Sequence, residues 1–253
     1  MIDFHSHIIY GIDDGAKDKE TSLRMIMNAE LEGTEYICAT PHFIQGSYQV
    51  SKEEYTEKLQ ELSEKSHISI ISGMEVYIDA SLPDLYREGK IWGINWGPYM
   101  LIELPMREVP RFAKDTLYEL SILGVRPVIA HPERNLKLMS NPEILEEFVA
   151  DGYLFQVNSG SLTGKYGQSV QKAAEKLVMK NMVHLIGSDG HDDNRRKTGV
   201  REGFRRIREM NPFLGDWIEE NSPRVIDGLS LELPETLEAR NRKRSILSFF
   251  RRK

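Results

Sequence analysis

Five of the seven histidines in this chain stand at or just beyond the carboxyl ends of short apolar segments, and four acidic residues occupy equivalent positions. The nine residues are His5, His7, Asp14, His42, Glu75, Glu103, His131, Asp189 and His191. Imidazole nitrogens and carboxylate oxygens are ligands of divalent transition metals. The distribution therefore predicts a metal site built from segments that are distant along the chain.

The apolar segments are rich in β-forming residues and predict seven strands. They cover residues 2–7, 36–40, 68–74, 99–104, 127–131, 154–158 and 183–188. Helical patterns separate most of them, which is typical of parallel strands joined by right-handed crossovers. In barrels and in open α/β sheets alike, chemistry is built at the carboxyl ends of strands. We expect a single-domain α/β fold, namely a distorted seven-stranded (β/α) barrel, with a doubly wound open sheet as the alternative.

Apolar periodicity and capping residues locate several helices. The predicted buried face of the first helix consists of Leu23, Ile26, Met27 and Leu31, and Gly33 follows as a stop signal. Ser51 opens a capping box, and Asn141 precedes a proline suited to the first helical position. Further helices are predicted near residues 111–123, 169–180 and 198–210.

Charge is distributed unevenly along the 253 residues, whose net charge is −6. Residues 240–253 carry seven basic side chains and no acid, so residues 1–239 carry a net charge of −13. An acidic body argues against nucleic-acid binding. We divide the chain into a folded domain over residues 1–235 and a basic tail over residues 236–253. The tail, from Arg240 to Lys253, is a candidate contact for an anionic membrane surface or an acidic partner, and a solvated terminus is the alternative.

Composition excludes other classes of protein. No apolar run approaches the roughly 18 residues of a membrane span. No basic segment precedes the first apolar residues, so we expect a cytoplasmic protein rather than a secreted one. The single cysteine, Cys38, excludes an intrachain disulfide framework. It also argues against thiol-based phosphatase chemistry, because the residue six positions later is Ile44 and not an arginine.

The number and type of candidate ligands indicate which ions would bind. A set without thiolate favours manganese, iron or zinc, and nine ligands exceed one tetrahedral ion, so we expect about two or three ions. His5 and His7 lie on one side of their strand and can share a metal, while Asp3 is expected to orient a histidine. Each residue also has a simpler interpretation. His42 could cap a helix, Glu75 or Glu103 could pair with an arginine, and Asp13 and Asp14 fit an ordinary turn. Taken together, so many unmetallated acids and imidazoles on one face would be electrostatically costly.

The motifs as a series resemble the PHP (polymerase and histidinol phosphatase) metal-dependent phosphoesterases. The series comprises D-x-H-x-H at residues 3–7, D-D-G at 13–15, T-P-H at 40–42, G-x-E at 73–75, L-I-E-L-P around Glu103, H-P-E-R-N at 131–135 and S-D-x-H at 188–191. Within that group the chain is similar to the manganese-dependent tyrosine-protein phosphatases of Gram-positive bacteria, the CpsB/YwqE type. The resemblance covers roughly residues 1–230.

The resemblance implies a distorted seven-stranded barrel with a trinuclear centre held by the nine candidate ligands. It assigns phosphate binding to Arg134 and Arg196, although the neighbouring Arg195 leaves the register of that loop open. It also implies that the substrate is phosphotyrosine on a tyrosine autokinase controlling capsule or exopolysaccharide synthesis. In the expected mechanism a metal-bridging hydroxide attacks the phosphomonoester, the two arginines neutralise charge, and His42 or Asp189 is a candidate proton donor.

Three alternatives remain open at this point. A small phosphomonoester such as histidinol phosphate could be the substrate of the same fold. An amidohydrolase also begins with H-x-H, but that class commonly uses a modified lysine, and none of the seven strands ends in lysine. Finally, the chain could be a non-catalytic, metal-stabilised binding module that recruits a partner through its tail. Oligomeric state is not readable from the sequence.

Overall fold

The computed structural model describes residues 1–236, which form an α/β fold. The strands are β1 (Ile2–Ser6), β2 (Tyr36–Ala39), β3 (His42–Phe43), β4 (Ser69–Ser72), β5 (Glu75–Tyr77), β6 (Tyr99–Glu103), β7 (Arg126–Ala130), β8 (Leu154–Asn158) and β9 (Leu185–Gly187). The helices are α1 (Lys19–Leu31), α2 (Lys52–Ser63), α3 (Leu82–Arg87), α4 (Ala113–Ile122), α5 (Leu136–Ser140), α6 (Pro142–Ala150), α7 (Ser159–Leu162), α8 (Gln168–Met179), α9 (Arg201–Met210) and α10 (Pro212–Ile226). Short 3₁₀ turns cover Ile94–Trp96 and Pro132–Arg134.

The strands belong to two parallel sheets, in the orders β1-β2-β4 and β3-β5-β6-β7-β8-β9. The sheets curl until the end of β1 meets the end of β9. There the backbone N–H of His7 donates to Gly190 (2.8 Å), and that of Asp189 donates to His5 (2.8 Å). This curl differs from the doubly wound open sheet that was the alternative. It gathers the carboxyl ends of the strands around one opening.

The predicted count of seven strands is not confirmed, because the predicted strands over 36–40 and 68–74 stop short of the neighbouring β3 and β5. Pro41 has no N–H to donate and separates β2 from β3. Gly73 separates β4 from β5, and side chains bind its backbone groups. Its N–H donates to the Tyr55 hydroxyl (2.9 Å), and its carbonyl accepts from the Trp92 indole (3.1 Å).

The interior of the curl is apolar at one end and polar at the other. A cluster of buried side chains comes from six strands and from α10: Phe4, Cys38, Leu101, Val128, Leu154, Leu185 and Val225 are among its members. Along β8 the same strand face then continues from Leu154 to Gln156 and Asn158. This inner apolar cluster therefore lies at the amino ends of the strands and leaves their carboxyl ends for polar side chains, while a larger apolar cluster joins the strands to the helices.

Two helix predictions need correction. Met27 and Leu31 are 49% and 71% exposed, whereas α1 buries Met25, Ile26 and Ala29, so the predicted face was displaced around the helix. Asn141 does precede α6, but its side chain donates to Lys137 and makes no cap hydrogen bond. Ser51 caps α2 as predicted, accepting from the backbone N–H of Glu54 (3.1 Å).

Helix α10 was not predicted, although Asn211 caps it and Pro212 is its first residue, the same signal that was used for α6. Within residues 1–236, no helix has the length and apolar character needed to cross a bilayer. The predicted basic tail lies outside the described residues, apart from Thr236.

Candidate metal centre

The most deeply buried part of the candidate centre is formed by His5, His7 and Glu75. The Nε2 atoms of His5 and His7 lie 3.2 Å apart. The Oε2 atom of Glu75 lies 3.0 Å from the first and 3.3 Å from the second. All three side chains are buried. We call this triangle of ligand atoms the inner half of the centre.

The outer half consists of Asp14, His42 and His191, which lie around the other side of His7 and together with it offer ligand atoms within 4.8 Å of one another. The Oδ1 atom of Asp14 is 3.6 Å from His42 Nε2 and 3.5 Å from His191 Nε2. The side chain of Asp14 is 50% exposed and that of His42 13% exposed. The outer half therefore faces the opening.

Glu75 also links the inner half to a third group, which it forms with His42 and Glu103. His42 Nδ1 lies 3.0 Å from Glu75 Oε2 and 3.8 Å from Glu103 Oε2. One buried carboxylate thus stands between two sets of potential ligands. Shared carboxylates of this kind suit a centre that holds more than one ion.

His131 and Asp189 adjoin these groups without belonging to the tight clusters. His131 Nε2 is 3.0 Å from Glu75 Oε1, and Asp189 Oδ1 is 3.4 Å from His191 Nδ1. Both residues have left-handed backbone conformations, with φ of 31° and 52°. The sharp turns direct their side chains back into the opening. Each of the nine predicted ligands therefore has a nitrogen or oxygen within 4.0 Å of another member of the set.

Two acids with buried side chains, Asp13 and Asp3, accept hydrogen bonds that the sequence did not predict. Asp13, interpreted as a turn residue, accepts from His7 Nδ1 (2.7 Å) and from the backbone N–H groups of Gly15 and His42 (both 2.9 Å). Asp3 was expected to orient a histidine ring, and this was wrong. Its Oδ1 accepts from the backbone N–H groups of His5 (3.2 Å) and Ser188 (2.8 Å), and so joins β1 to the end of β9.

Sequence reasoning also missed two amides on β8. Gln156 Oε1 lies 2.8 Å from His5 Nδ1, and Asn158 Nδ2 donates to Asp189 Oδ2 (2.8 Å). Both side chains are fully buried. A detectable signal was present, because a strand buried on both faces normally reads as a continuous apolar run, and polar residues at 156 and 158 break that run.

Mutual electrostatics of acids and imidazoles override burial in the inner half. Burial alone would raise the pKa of Glu75, but His5, His131 and His42 hold it well below its usual value. Burial would lower the pKa of His7, but Asp13, Asp189 and Glu75 raise it well above its usual value. A positive charge is thus favoured at this point in the structure.

In the more open part of the centre burial has the larger effect. Burial and the charge of Glu75 raise the pKa of Glu103 to about 7. Burial lowers the pKa of His42 to about 4, against the opposing effect of Glu75. Two carboxylates so close together repel each other, and a cation between them would remove that cost.

The hydrogen bonds show that the inner half fits a cation. Nδ1 of His5 and Nδ1 of His7 each face an acceptor oxygen, so in the neutral rings a proton on each Nδ1 would leave both Nε2 atoms with lone pairs at the short mutual distance given above. Glu75 Oε2 and His42 Nδ1 are buried and make no hydrogen bond within residues 1–236. Converging acceptors without a proton between them are costly to bury. A divalent ion bound to these atoms would remove that cost.

Two arginines border the centre. Arg134 Nη1 and Arg196 Nη2 donate to opposite oxygens of Asp189, each at 2.7 Å. The Nε of Arg196 is buried and makes no hydrogen bond in the described part of the chain. Arg195 is exposed, and its backbone N–H donates to Asp192. Arg196 is therefore the residue of the pair whose side chain reaches Asp189.

An open groove adjoins the outer half of the centre. Its volume is about 460 Å³, and Asp14 and His191 form part of its wall. Lys17, Arg195 and Arg196 also line it. A ligand in this groove would lie against both the candidate metal ligands and the cationic side chains.

Comparison with known proteins gives consistent matches over most of the chain. The family model described as capsular polysaccharide synthesis, CpsB/CapC, matches residues 1–213. Tyrosine-protein phosphatase YwqE from Bacillus subtilis (strain 168) is 34% identical over 209 residues, which cover 81% of this chain and 82% of that protein. Tyrosine-protein phosphatase CpsB from Streptococcus pneumoniae is 28% identical over 214 residues, covering 81% and 88%. A solved structure described as YwqE from B. subtilis and CpsB from S. pneumoniae, unique metal-dependent tyrosine phosphatases, matches with a TM-score of 0.87 at 31% identity, covering 94% of this chain and 99% of that one.

Proposed function

Because this chain belongs to the CpsB/CapC family of capsular polysaccharide synthesis, we propose that it is a metal-dependent protein-tyrosine phosphatase. The family resemblance predicted from the motifs is confirmed. The observation that carries the proposed activity is the junction of two features. Ligand atoms of His5, His7 and Glu75 converge at 3.0 to 3.3 Å from one another, and the partly buried guanidinium groups of Arg134 and Arg196 donate to Asp189 beside them.

We assign the metal ligands to the nine residues of the candidate centre. His5, His7 and Glu75 would hold the most buried ion, and Asp14, His42 and His191 would hold an ion near the opening. Because the ligands are nitrogen and oxygen only, we propose manganese, with iron and zinc as alternatives for metal analysis to decide. When bound, divalent ions lower the pKa of water and stabilise charge on a phosphoryl group.

Arg134 and Arg196 would bind the non-bridging phosphoryl oxygens. Guanidinium groups suit this role because their N–H donors match the geometry of phosphate oxygens. Asp189 holds both side chains in place, and the unpaired Nε–H of Arg196 is a donor that a phosphoryl oxygen would satisfy. These contacts would hold the phosphoryl group beside the centre during hydrolysis.

Neither of the two proton donors considered is favoured by its surroundings, because burial lowers the pKa of His42 to about 4 and the carboxylate of Asp189 is occupied. The carboxylate of Asp189 already accepts hydrogen bonds from Arg134, Arg196 and Asn158. His42 is partly exposed at the opening, and its ring stacks on Tyr48 with 6.0 Å between centroids. A phenolate leaves more readily than an alkoxide, so little protonation of the leaving oxygen is needed.

A nucleophilic thiol is not available, because Cys38 is fully buried in the apolar end of the curl.

The substrate that we propose is a phosphotyrosine-bearing segment of a protein, specifically of a tyrosine kinase that acts in capsule or exopolysaccharide synthesis. The groove beside Asp14 is open, and four basic and three acidic side chains line it, so it can accept a polypeptide next to the scissile bond. A fully enclosed pocket would instead favour a small phosphomonoester. The cellular location that we propose is the cytoplasm, where such a kinase segment would be reached.

Metal analysis combined with activity measurements tests this function. The full chain is assayed on p-nitrophenyl phosphate before chelation, after chelation and after addition of manganese, iron or zinc. Phosphotyrosine peptides, phosphoserine peptides and histidinol phosphate are then compared with the reconstituted protein. We expect activity to follow metal content and to favour phosphotyrosine.

The Cys38→Ser variant provides the control, with turnover expected within a few-fold of the original. Tight metal binding without hydrolysis of any aryl phosphate would instead identify a metal-stabilised binding module. Preference for histidinol phosphate would replace phosphotyrosine as the substrate.

A further inference from the structure

We propose that Gln156 and Asn158 are positioning residues, which fix the tautomer of His5 and thereby present its Nε2 lone pair to the metal centre. This inference rests on the metal centre of the proposed function but not on the identity of the substrate. It concerns the two amides of β8 that face the polar end of the curl.

The two amides form a continuous chain of hydrogen bonds between two candidate ligands. Asn158 Nδ2 donates to Asp189 Oδ2 (2.8 Å), and Gln156 Nε2 donates to Asn158 Oδ1 (2.9 Å). Gln156 Oε1 then lies 2.8 Å from His5 Nδ1. We call this chain the amide relay.

The relay has a single consistent direction. The carboxylate of Asp189 is paired with two arginines and acts as an acceptor, so it requires the NH₂ group of Asn158 to face it. The carbonyl of Asn158 then requires the NH₂ group of Gln156, and the carbonyl of Gln156 requires an N–H on His5. His5 must therefore carry its proton on Nδ1, which leaves Nε2 with a lone pair that points at Glu75 and His7.

The amide relay lies in closely packed surroundings. Both amides are fully buried. The backbone N–H of Asn158 donates to Glu133 Oε1 (3.0 Å), and Glu133 also accepts from Ser161 (2.6 Å). Gly187 provides the space for this approach, because a Cβ there would lie 2.8 Å from Gln156 Nε2 and 2.4 Å from the Cβ of His5.

The two inner histidines are thus oriented by different chemistry. His7 Nδ1 faces the carboxylate of Asp13 directly, whereas His5 Nδ1 faces a neutral carbonyl whose orientation is set by Asp189 two residues further along the relay. Partners that orient a ligating imidazole typically change metal affinity by about 10- to 100-fold when removed. The relay has the additional effect of coupling His5 to Asp189, so one substitution disturbs two ligands.

The test uses Gln156→Met, which keeps the approximate size of the side chain but removes both hydrogen bonds, and Gln156→Glu, which keeps an acceptor for His5. Asn158→Leu interrupts the relay at its other member. Gln171→Met is the matched control, since the amide of Gln171 donates to the backbone carbonyl of Leu162 and lies outside the centre. All variants are made in the full chain.

Two measurements are needed, and neither depends on hydrolysis. Two-bond ¹H–¹⁵N spectra of ¹⁵N-histidine-labelled, metal-free protein at mildly alkaline pH report the tautomer of His5, which a His5→Gln spectrum assigns. Manganese titration reports affinity. We expect the Nδ1–H form in the original protein, in Gln156→Glu and in Gln171→Met. We expect a shift toward Nε2–H in Gln156→Met and in Asn158→Leu, with a manganese Kd raised by about 10- to 100-fold.

An unchanged tautomer in Gln156→Met would overturn the proposal, even if that variant were less stable to heat. Lower stability with the tautomer retained would mean that the amides only pack the strand. If the tautomer and affinity shift as expected but the original protein hydrolyses no aryl phosphate, the relay stands and the proposed function fails.

Discussion

The inner and outer halves of the candidate centre differ in how firmly their ligands are held. In the inner half, His5 and His7 are buried, and each ring has a hydrogen-bond partner behind it, Gln156 or Asp13. In the outer half, Asp14 is half exposed, and His42 Nδ1 makes no hydrogen bond in the described part of the chain. Both inner imidazoles therefore have a partner that orients the ring, whereas of the two outer imidazoles His191 has one, the backbone carbonyl of Asp189 at 3.1 Å, and His42 has none within residues 1–236. From this contrast we expect an inner ion to exchange more slowly than an outer one.

The largest expected effect comes from breaking the inner half. His5→Ala or Glu75→Gln removes one corner of the buried triangle. Since residues that merely orient a ligand change affinity by about 10- to 100-fold, loss of a ligand itself should lower both metal content and kcat/KM by more than about 100-fold. Elemental analysis and p-nitrophenyl phosphate hydrolysis measure the two quantities. A variant that kept full metal content and turnover would contradict the assignment of the inner half.

The second largest effect is expected at Asp189, which adjoins both halves of the centre. Arg196 donates to this residue, whereas Arg195 faces the groove. Arg196→Lys keeps the charge but loses the forked donors, so we expect kcat/KM to fall by about 100-fold, as with other lost donors to developing negative charge. Arg195→Lys should remain within a few-fold. Steady-state kinetics on one phosphotyrosine peptide compares the two variants. An equal fall in kcat/KM for the two variants would contradict the assignment of phosphate binding to Arg196 rather than Arg195.

A smaller effect is expected from the exposed ligand of the outer half. Asp14→Asn retains a ligand oxygen without its charge, in a position that solvent reaches. We expect kcat/KM to fall by about 10-fold, at the lower end of the range for perturbed metal sites, with the inner ion retained. Metal stoichiometry after desalting checks this prediction. Loss of all metal from Asp14→Asn would remove the distinction between the halves.

The smallest effect concerns His184, a buried histidine that the centre does not include. Its ring packs edge-on against Phe155 and Trp217, and burial lowers its pKa to about 3 from an ordinary value of 6.5. Because the folded state resists protonation and the unfolded state does not, this group contributes stability above the unfolded pKa. That contribution is lost as the pH falls from about 6.5 toward 3, by about 1.4 kcal/mol per pH unit.

Urea unfolding of chelated protein at about pH 7.5 and about pH 5.5 measures the loss. His184→Phe should lose about 1 kcal/mol less than the original protein over this interval. Identical pH dependence in the two proteins would show that His184 is not held neutral by burial. His184 could then no longer serve as the example of a histidine governed by burial with which the acid-surrounded inner histidines are compared.

The positions of the candidate ligands could be predicted because parallel strands end at a common edge. His131 and Asp189 needed only the end of a strand to be placed correctly. The strand count could not be predicted in the same way, since side chains of Tyr55 and Trp92 take the backbone groups of Gly73, and such tertiary hydrogen bonds leave no periodic signal. The face of α1 was misjudged for a related reason. Thr21 and Ser22 are buried there, and periodicity counts only apolar residues.

The supporting residues were harder to predict than the ligands. Asp13 and Asp14 stand before Gly15 in a pattern that ordinary turns also show, so nothing local distinguishes the contact of Asp13 with His7. Gln156 and Asn158 left a readable signal, but its meaning depends on Gly187 and Asp189 in another strand and the loop after it. Local sequence reports which residue types are present, whereas their pairing is decided by the curl of the sheet.

The left-handed backbone at His131 and Asp189 has a consequence for how this protein can change. Side chains other than glycine occupy that region at a cost of about 1–2 kcal/mol each. A library of variants selected only for thermal stability would therefore be enriched in glycine or asparagine at both positions. Such variants would be more stable but would lack two of the candidate metal ligands. Stabilising substitutions that preserve the activity must therefore lie at other positions in the chain.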